Sequence, residues 1–163
     1  MLPLSSACLI IAVAFVFYFS FVIIVRFFVI GSNHSLAPVS IRERFSVDDG
    51  KTESVLLAMI QQTSLSEAVI LSTCNRFECY ACADSPESII DWLSIRSGLS
   101  RANILPYLYI YEGKEALIHL FRVACGLDSM MLGETQIIKQ IKQAFEASRH
   151  IGAQGKWLKS VYQ

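Results

Sequence analysis

The stretch from Ala68 to Ala83 limits what this chain can fold into more than any other. Ala68 to Leu71 is a short apolar run rich in β-branched residues. Ser72-Thr73-Cys74-Asn75-Arg76 is polar, and Phe77 to Ala83 alternates as a strand does. Together they predict two neighbouring strands joined by a polar turn.

Helical and strand-like segments interleave around this hairpin. Phe27-Phe28-Val29-Ile30-Gly31 reads as a first buried strand running into a glycine turn, with Ser32 to Ser35 and Pro38 as the loop that follows. Val39 to Phe45, with Arg42-Glu43-Arg44, suits a short helix. Val55, Leu56, Met59 and Ile60 recur at helical spacing and predict a helix over 53–62. Pro86 opens another, which carries Ile89, Ile90 and Leu93 and should stop near Gly98. Tyr107 to Tyr111 reads as a strand. Ala116, Leu117, Leu120, Phe121 and Ala124 share one face of a helix over 114–125 that Gly126 should end. A second long helix, starting near Gly133-Glu134, has Ile137, Ile138, Ile141, Ala144 and Phe145 as its stripe. Mixed strands and helices in this order give an α+β domain.

At 163 residues there is room for one ordinary domain and one core. The formal charge is zero, so overall composition gives no argument for a nucleic-acid partner, and any RNA contact must come from local clustering. Such a cluster exists near the end. Lys139, Lys142, Arg149, Lys156 and Lys159 face one acid, Glu146, which favours phosphate contacts, although a solvated helix face has the same pattern.

Residues 1–26 form an apolar leader. No charge occurs from Cys8 to Val25, a run just long enough to cross a bilayer as a helix. Arg26, Arg42 and Arg44 follow it and nothing basic precedes it, so as a transmembrane helix it would tether the remainder on the cytoplasmic side. The same asymmetry argues against a secretory signal peptide. The other reading is a start-site artefact. No Met lies between Met1 and Met59, but a start at a non-Met codon such as that of Val25 would remove the run. The domain proper then covers 27–160, and its expected location is cytoplasmic.

Five cysteines, an odd number without secreted-scaffold spacing, indicate a reducing compartment. Cys74, Cys79 and Cys82 have the spacing of plant-type iron–sulfur ligands, with Cys125 as an imaginable fourth. Against that, Cys79 and Cys82 would point to opposite faces of a strand. A zinc site needs the same convergence and lacks a nearby His, so no metal site is assigned. The plain reading makes Cys79, Cys82 and Cys125 small buried apolar residues. Cys74 differs. It lies in a polar turn two residues before Arg76, where a thiolate can be both exposed and favoured.

Three separated stretches resemble glutamyl-tRNA reductase. The first is Gly31-Ser32-Asn33-His34 with Ala37-Pro38-Val39 and Arg42-Glu43-Arg44. The second is Leu71-Ser72-Thr73-Cys74-Asn75-Arg76, and the third runs from His119 through Cys125-Gly126-Leu127-Asp128-Ser129 to Gly133-Glu134 and Gln136. The resemblance covers about 27–160 and implies the family's N-terminal catalytic domain, with a ferredoxin-like fold and the start of a long C-terminal helix after Gly152, interrupted by Gly155. It implies that Cys74 attacks the ester of glutamyl-tRNA to give a glutamyl thioester. Reduction with NADPH then yields glutamate-1-semialdehyde for tetrapyrrole (porphyrin, haem) biosynthesis.

Site residues carry over one at a time. His119 matches a histidine implicated in activity. Thr73, Asn75 and Arg76 match substrate-binding positions, Arg76 being suited to grip the substrate's side-chain carboxylate. Ser129, Glu134, Thr135, Gln136 and Gln140 match further positions of the glutamate site, with Glu134 a candidate for the α-ammonium group. Two departures bear on pocket shape: Thr135 stands where the family usually has proline, and Phe77 where a small polar residue is common. Family members continue into an NADPH domain and a helical domain that makes a homodimer. No glycine-rich dinucleotide fingerprint occurs in this chain, so no cofactor-binding residue is assigned and the reduction step is expected to be incomplete here. The rival reading is a membrane-tethered, non-catalytic module that holds tRNA or a partner protein.

Overall fold

A computed structural model describes residues 26–48, 50–63, 65–129 and 136–162. The hairpin is present: β2 (Glu67–Ser72) and β3 (Arg76–Ala83) pair antiparallel, and residues 73–75 connect them. β1 (Arg26–Asn33) lies antiparallel on the other side of β3, in register from Arg26 opposite Ala83 to Asn33 opposite Arg76. β4 (Tyr109–Glu112) pairs antiparallel with β1, so the strand order is β2-β3-β1-β4.

Both faces of this sheet are covered. Successive side chains point to opposite faces, so β1 sends Phe28 and Ile30 one way and Phe27 and Val29 the other. β3 likewise separates Phe77, Cys79 and Ala81 from Tyr80 and Cys82. The first face packs against α1 (Val39–Phe45), α2 (Thr52–Thr63), α3 (Glu87–Ser97) and α4 (Arg101–Ile104), through Phe45, Leu56, Met59, Ile90 and Ile104 among others. The second packs against α5 (Lys114–Ala124), α6 (Gln136–His150) and α7 (Lys156–Tyr162), through Ala116, Leu120, Val123, Ile137, Phe145 and Leu158. Mixed α and β elements are therefore arranged as helices, sheet, helices. The single core expected from length becomes two apolar clusters, which is why β2 and β3 read as nearly continuous apolar runs.

Several expectations need correction. The first strand does not stop at a turn on Gly31 but continues through it to Asn33, and it begins at Arg26 rather than Phe27. Gly31 is there for clearance: a Cβ on it would lie 2.8 Å from the Glu78 Cγ and 2.9 Å from both the Phe77 carbonyl oxygen and the Tyr109 ring. Tyr107 ends a 3₁₀ turn, Leu105–Tyr107, and the strand starts only at Tyr109. On α5, Phe121 is 58% exposed while His119 and Val123 are buried; on α6, Ile138 is 46% exposed and Ser148 takes an inward place. The chain reverses around Gly152, and α7 is a separate element of seven residues. The leader, and the expected helix start at Gly133-Glu134, lie outside the described residues. Among the described residues, no helix is long and apolar enough to cross a membrane.

Candidate active site

The turn that carries Cys74 is held by its own side chains. The Thr73 N–H donates to the Arg76 carbonyl at 2.8 Å, and the Thr73 hydroxyl accepts from the N–H groups of Asn75 and Arg76, each at 3.2 Å. The loop after β1 braces it from outside, where the His34 N–H donates to the Asn75 carbonyl at 2.9 Å. That loop is itself an Asx turn, Asn33 Oδ1 accepting from the N–H groups of Ser35 and Leu36. On the other flank the Val47 N–H donates to the Ser72 hydroxyl at 2.9 Å. Strand residues beside the turn are buried, yet Cys74 is exposed as a free thiol. A rigid bend thus presents a nucleophile outward.

Behind the turn lies a buried polar hub centred on Glu78, which is fully buried. Arg76, Glu78 and Tyr80 alternate onto the same face of β3. Oε1 of Glu78 accepts from Arg76 Nη1 at 2.8 Å, from His119 Nε2 at 2.8 Å and from the Tyr109 hydroxyl; Oε2 accepts from the Tyr80 hydroxyl. Burial pushes the Glu78 carboxyl up. The His119 hydrogen bond, the Arg76 charge and the Tyr109 hydroxyl together outweigh it and hold the group at about 2. An ionised carboxylate only accepts, so Nε2 of His119 carries the proton of that bond. Burial and the Glu78 charge raise the Tyr109 hydroxyl well above the usual phenol range. His119 is sandwiched by aromatic rings, its centroid 5.0 Å from that of Tyr109 and 4.9 Å from that of Tyr111.

Arg76 joins the hub to the turn after α5. It is 3% exposed. Besides Glu78, it donates to the Asp128 carboxylate at 3.3 Å and to the Asp128 carbonyl. Burial works against its charge, but Glu78 and its other neighbours leave it more firmly protonated than a free guanidinium.

A small cavity of about 50 Å³ brings together Thr73, Cys74, Asn75, Arg76, Ser129, Gln136 and Gln140. Seven of the ten sequence-nominated residues therefore converge from the β2–β3 turn, the end of the α5 turn and the first two turns of α6. His119 does not join them; it lines a separate cavity with Tyr111, Arg122 and Asp128, and reaches Arg76 through Glu78. Glu134 and Thr135 lie outside the described residues. Glu78, Tyr109 and Asp128 were not nominated. The available signal was a lone acid in an apolar strand, two residues from Arg76 and hence on its face.

The remaining cysteines separate as strand geometry requires. Cys79 belongs to one apolar cluster and Cys82 to the other, across the sheet, and burial pushes both thiols up to about 12, the Glu67 charge adding to this for Cys82. The shared iron–sulfur ligation considered from their spacing is incompatible with that placement, and among the described residues no group of side chains is arranged to hold a metal. Cys125, expected to be buried, is exposed at the end of α5.

Comparison with known proteins agrees with this arrangement. The family profile described as glutamyl-tRNAGlu reductase, N-terminal domain, matches residues 30–163. Glutamyl-tRNA reductase of Legionella pneumophila (strain Corby) is 40% identical over 133 residues, which cover 82% of this chain and 31% of that protein. The protein of the same name from Neisseria meningitidis serogroup B is 44% identical over 134 residues, covering 82% and 32%. Among solved structures, glutamyl-tRNA reductase from Methanopyrus kandleri superposes with a TM-score of 0.69 at 29% identity, covering 83% of this chain and 31% of that one. The chain thus spans about a third of the length of the relatives it matches.

Proposed function

The chain belongs to the glutamyl-tRNAGlu reductase N-terminal-domain family, and from that premise we propose that it performs the acyl-transfer half of glutamyl-tRNA reduction. The observation that carries the reading is the exposed Cys74 thiol on a braced turn, in one cavity with Arg76, Ser129, Gln136 and Gln140. Sulfur is a good nucleophile near neutral pH, and its acyl adduct stays electrophilic. The Cys74 thiolate attacks the glutamyl carbonyl, tRNA leaves, and the glutamyl group remains as a thioester. Thr73, Asn75 and the glutamines border the acyl group. Arg76 meets its side-chain carboxylate once Asp128, which now occupies the guanidinium, gives way. By the family resemblance, Glu134 binds the α-ammonium group and Thr135 is a further substrate-binding position. His119 keeps the hub charged and in register from behind.

In the full-length enzymes NADPH reduces the thioester to glutamate-1-semialdehyde, the entry to tetrapyrroles. The residues described here do not fit that cofactor. All strand pairs among them are antiparallel, whereas a dinucleotide crevice forms at the carboxyl ends of parallel strands beside a glycine-rich turn. In this proposal the described residues carry the chemistry as far as the thioester, and the homodimer that the family resemblance implies is made by regions outside the match. The order β2-β3-β1-β4, with helices between β1 and β2 and between β3 and β4, supports a ferredoxin-like assignment. Lys139, Lys142, Arg149, Lys156 and Lys159 are all exposed, which supports phosphate contacts along α6 and α7. A cytoplasmic place follows from the substrate.

Incubation with glutamyl-tRNA should add one glutamyl group to Cys74, detectable by mass spectrometry of the intact chain and its peptides, and Cys74→Ser should abolish it. Unmodified Cys74, or equal labelling of the Ser variant, would overturn the reading. Adding NADPH to the acylated chain should produce no semialdehyde.

A further inference from the structure

Asp128 stands between two cations. On one side it holds Arg76, its carboxylate accepting from Nη1 at 3.3 Å and its carbonyl from Nη2. On the other it borders a cavity of about 460 Å³ together with Arg122, Glu115 and His119. The two cations differ in their surroundings. Arg76 is buried and already has Glu78 at 2.8 Å, whereas Arg122 is exposed and makes no ion pair among the described residues. The chain is pinned just before Asp128. α5 ends in a Schellman motif: the N–H of Gly126, at φ 68°, donates to the Val123 carbonyl and that of Leu127 to the Arg122 carbonyl, each at 2.9 Å. The Asp128 side chain beyond this turn is still 27% exposed. Its backbone is therefore fixed relative to Arg122, and its carboxylate has room to turn.

We propose that Asp128 is a displaceable stand-in for the substrate's side-chain carboxylate, held on Arg76 before the glutamyl group arrives and handed to Arg122 when it does. The inference rests on the reading of Cys74 and Arg76 as the site of a glutamyl ester. A third carboxylate cannot join Glu78 and Asp128 at one guanidinium without strong repulsion, so one of the two must leave. Glu78 is fully buried and has three donors besides Arg76, from His119, Tyr109 and Tyr80. The Asp128 carboxylate has Arg76 alone among the described residues, and it is the one that goes. The Nη2 bond to the Asp128 carbonyl involves backbone only and persists through the exchange. Each ion pair broken is matched by one formed: the substrate replaces Asp128 at Arg76, and Asp128 gains Arg122. Arg76 thus keeps its carboxylate partners throughout, which spares a buried cation the cost of standing half-paired. Asp128 then acts as a built-in competitor of the substrate, and Arg122 offsets part of that competition.

Single-turnover acylation of Cys74 by glutamyl-tRNA tests this on the full 163-residue chain, intact mass giving the rate at each chain concentration. Asp128→Ala should lower the half-saturating concentration about fivefold or more, the scale of one charged hydrogen bond, and Asp128→Asn should move it the same way. A residue that merely held the fold together would raise it. Arg122→Ala should raise it several-fold in the wild-type background and shift nothing further in the Asp128→Ala background. Circular dichroism checks that each variant folds. A half-saturating concentration that neither Asp128 variant lowers overturns the stand-in and leaves Cys74 as nucleophile. An Arg122→Ala effect of equal size in both backgrounds makes Arg122 a contact of the tRNA itself and overturns the hand-over. No adduct on the wild type overturns the nucleophile, and the stand-in with it.

Discussion

A carboxylate with four donors around it cannot take up a proton without weakening its contacts, and Glu78 is in that position. Its folded value of about 2 lies below the ordinary 4.5. Its contribution to stability is therefore complete above about pH 4.5 and is lost as pH falls toward 2, with a size of roughly 3 kcal/mol. Urea titrations at successive pH values should show a steeper acid loss for wild type than for Glu78→Gln; equal slopes would remove Glu78 as the cause. Exposure of Cys74 was legible from its polar turn. The engagement of Arg76 was not, because Asp128 reaches it from the turn after α5, and Glu78, its neighbour on β3, is held by His119 and Tyr109 from other elements that only folding brings there. Clearance at Gly31 was hidden for the same reason: Glu78, Phe77 and Tyr109 surround it from other strands.

Among elements, the strands and most helices could be read from spacing, and the errors have a common origin. A helix repeats every 3.6 residues, so an apolar stripe specifies a face only to within about a hundred degrees. Phe121 and Ile138 fall inside that tolerance but beyond the width the sheet covers. The start of α7 was unreadable in another way. Glu67, at the first position of β2, accepts from the N–H groups of Trp157 at 3.2 Å and Leu158 at 2.8 Å, a cap supplied from ninety residues away in sequence. Gly155 is needed beside it, since a Cβ there would overlap the Glu67 carboxylate. Glu67→Ala should cost about 1–2 kcal/mol and Glu67→Gln less. Hydrogen exchange should show faster loss of protection in α7 than in α5; uniform exchange would mean that the cap is idle.

For the molecule as a whole, sequence pattern indicated a mixed α and β chain, while the covering of both sheet faces had to come from the structure. Length misled here, because a short chain was expected to form one core and instead places the sheet between two. The polar hub sits at the edge of the second of these and ties β3, β4, α5 and the turn at Asp128 through one carboxylate. Changes at such a junction should not add. Stabilities of Tyr109→Phe, His119→Gln and their double variant, from chemical denaturation, should reveal a coupling of roughly 0.5–3 kcal/mol; simple additivity would mean that the donors act separately. Once one donor has gone, the others have less to lose. Mutational tolerance at any of these positions will therefore depend on genetic background, and a substitution that is harmful in one homologue can pass silently in another.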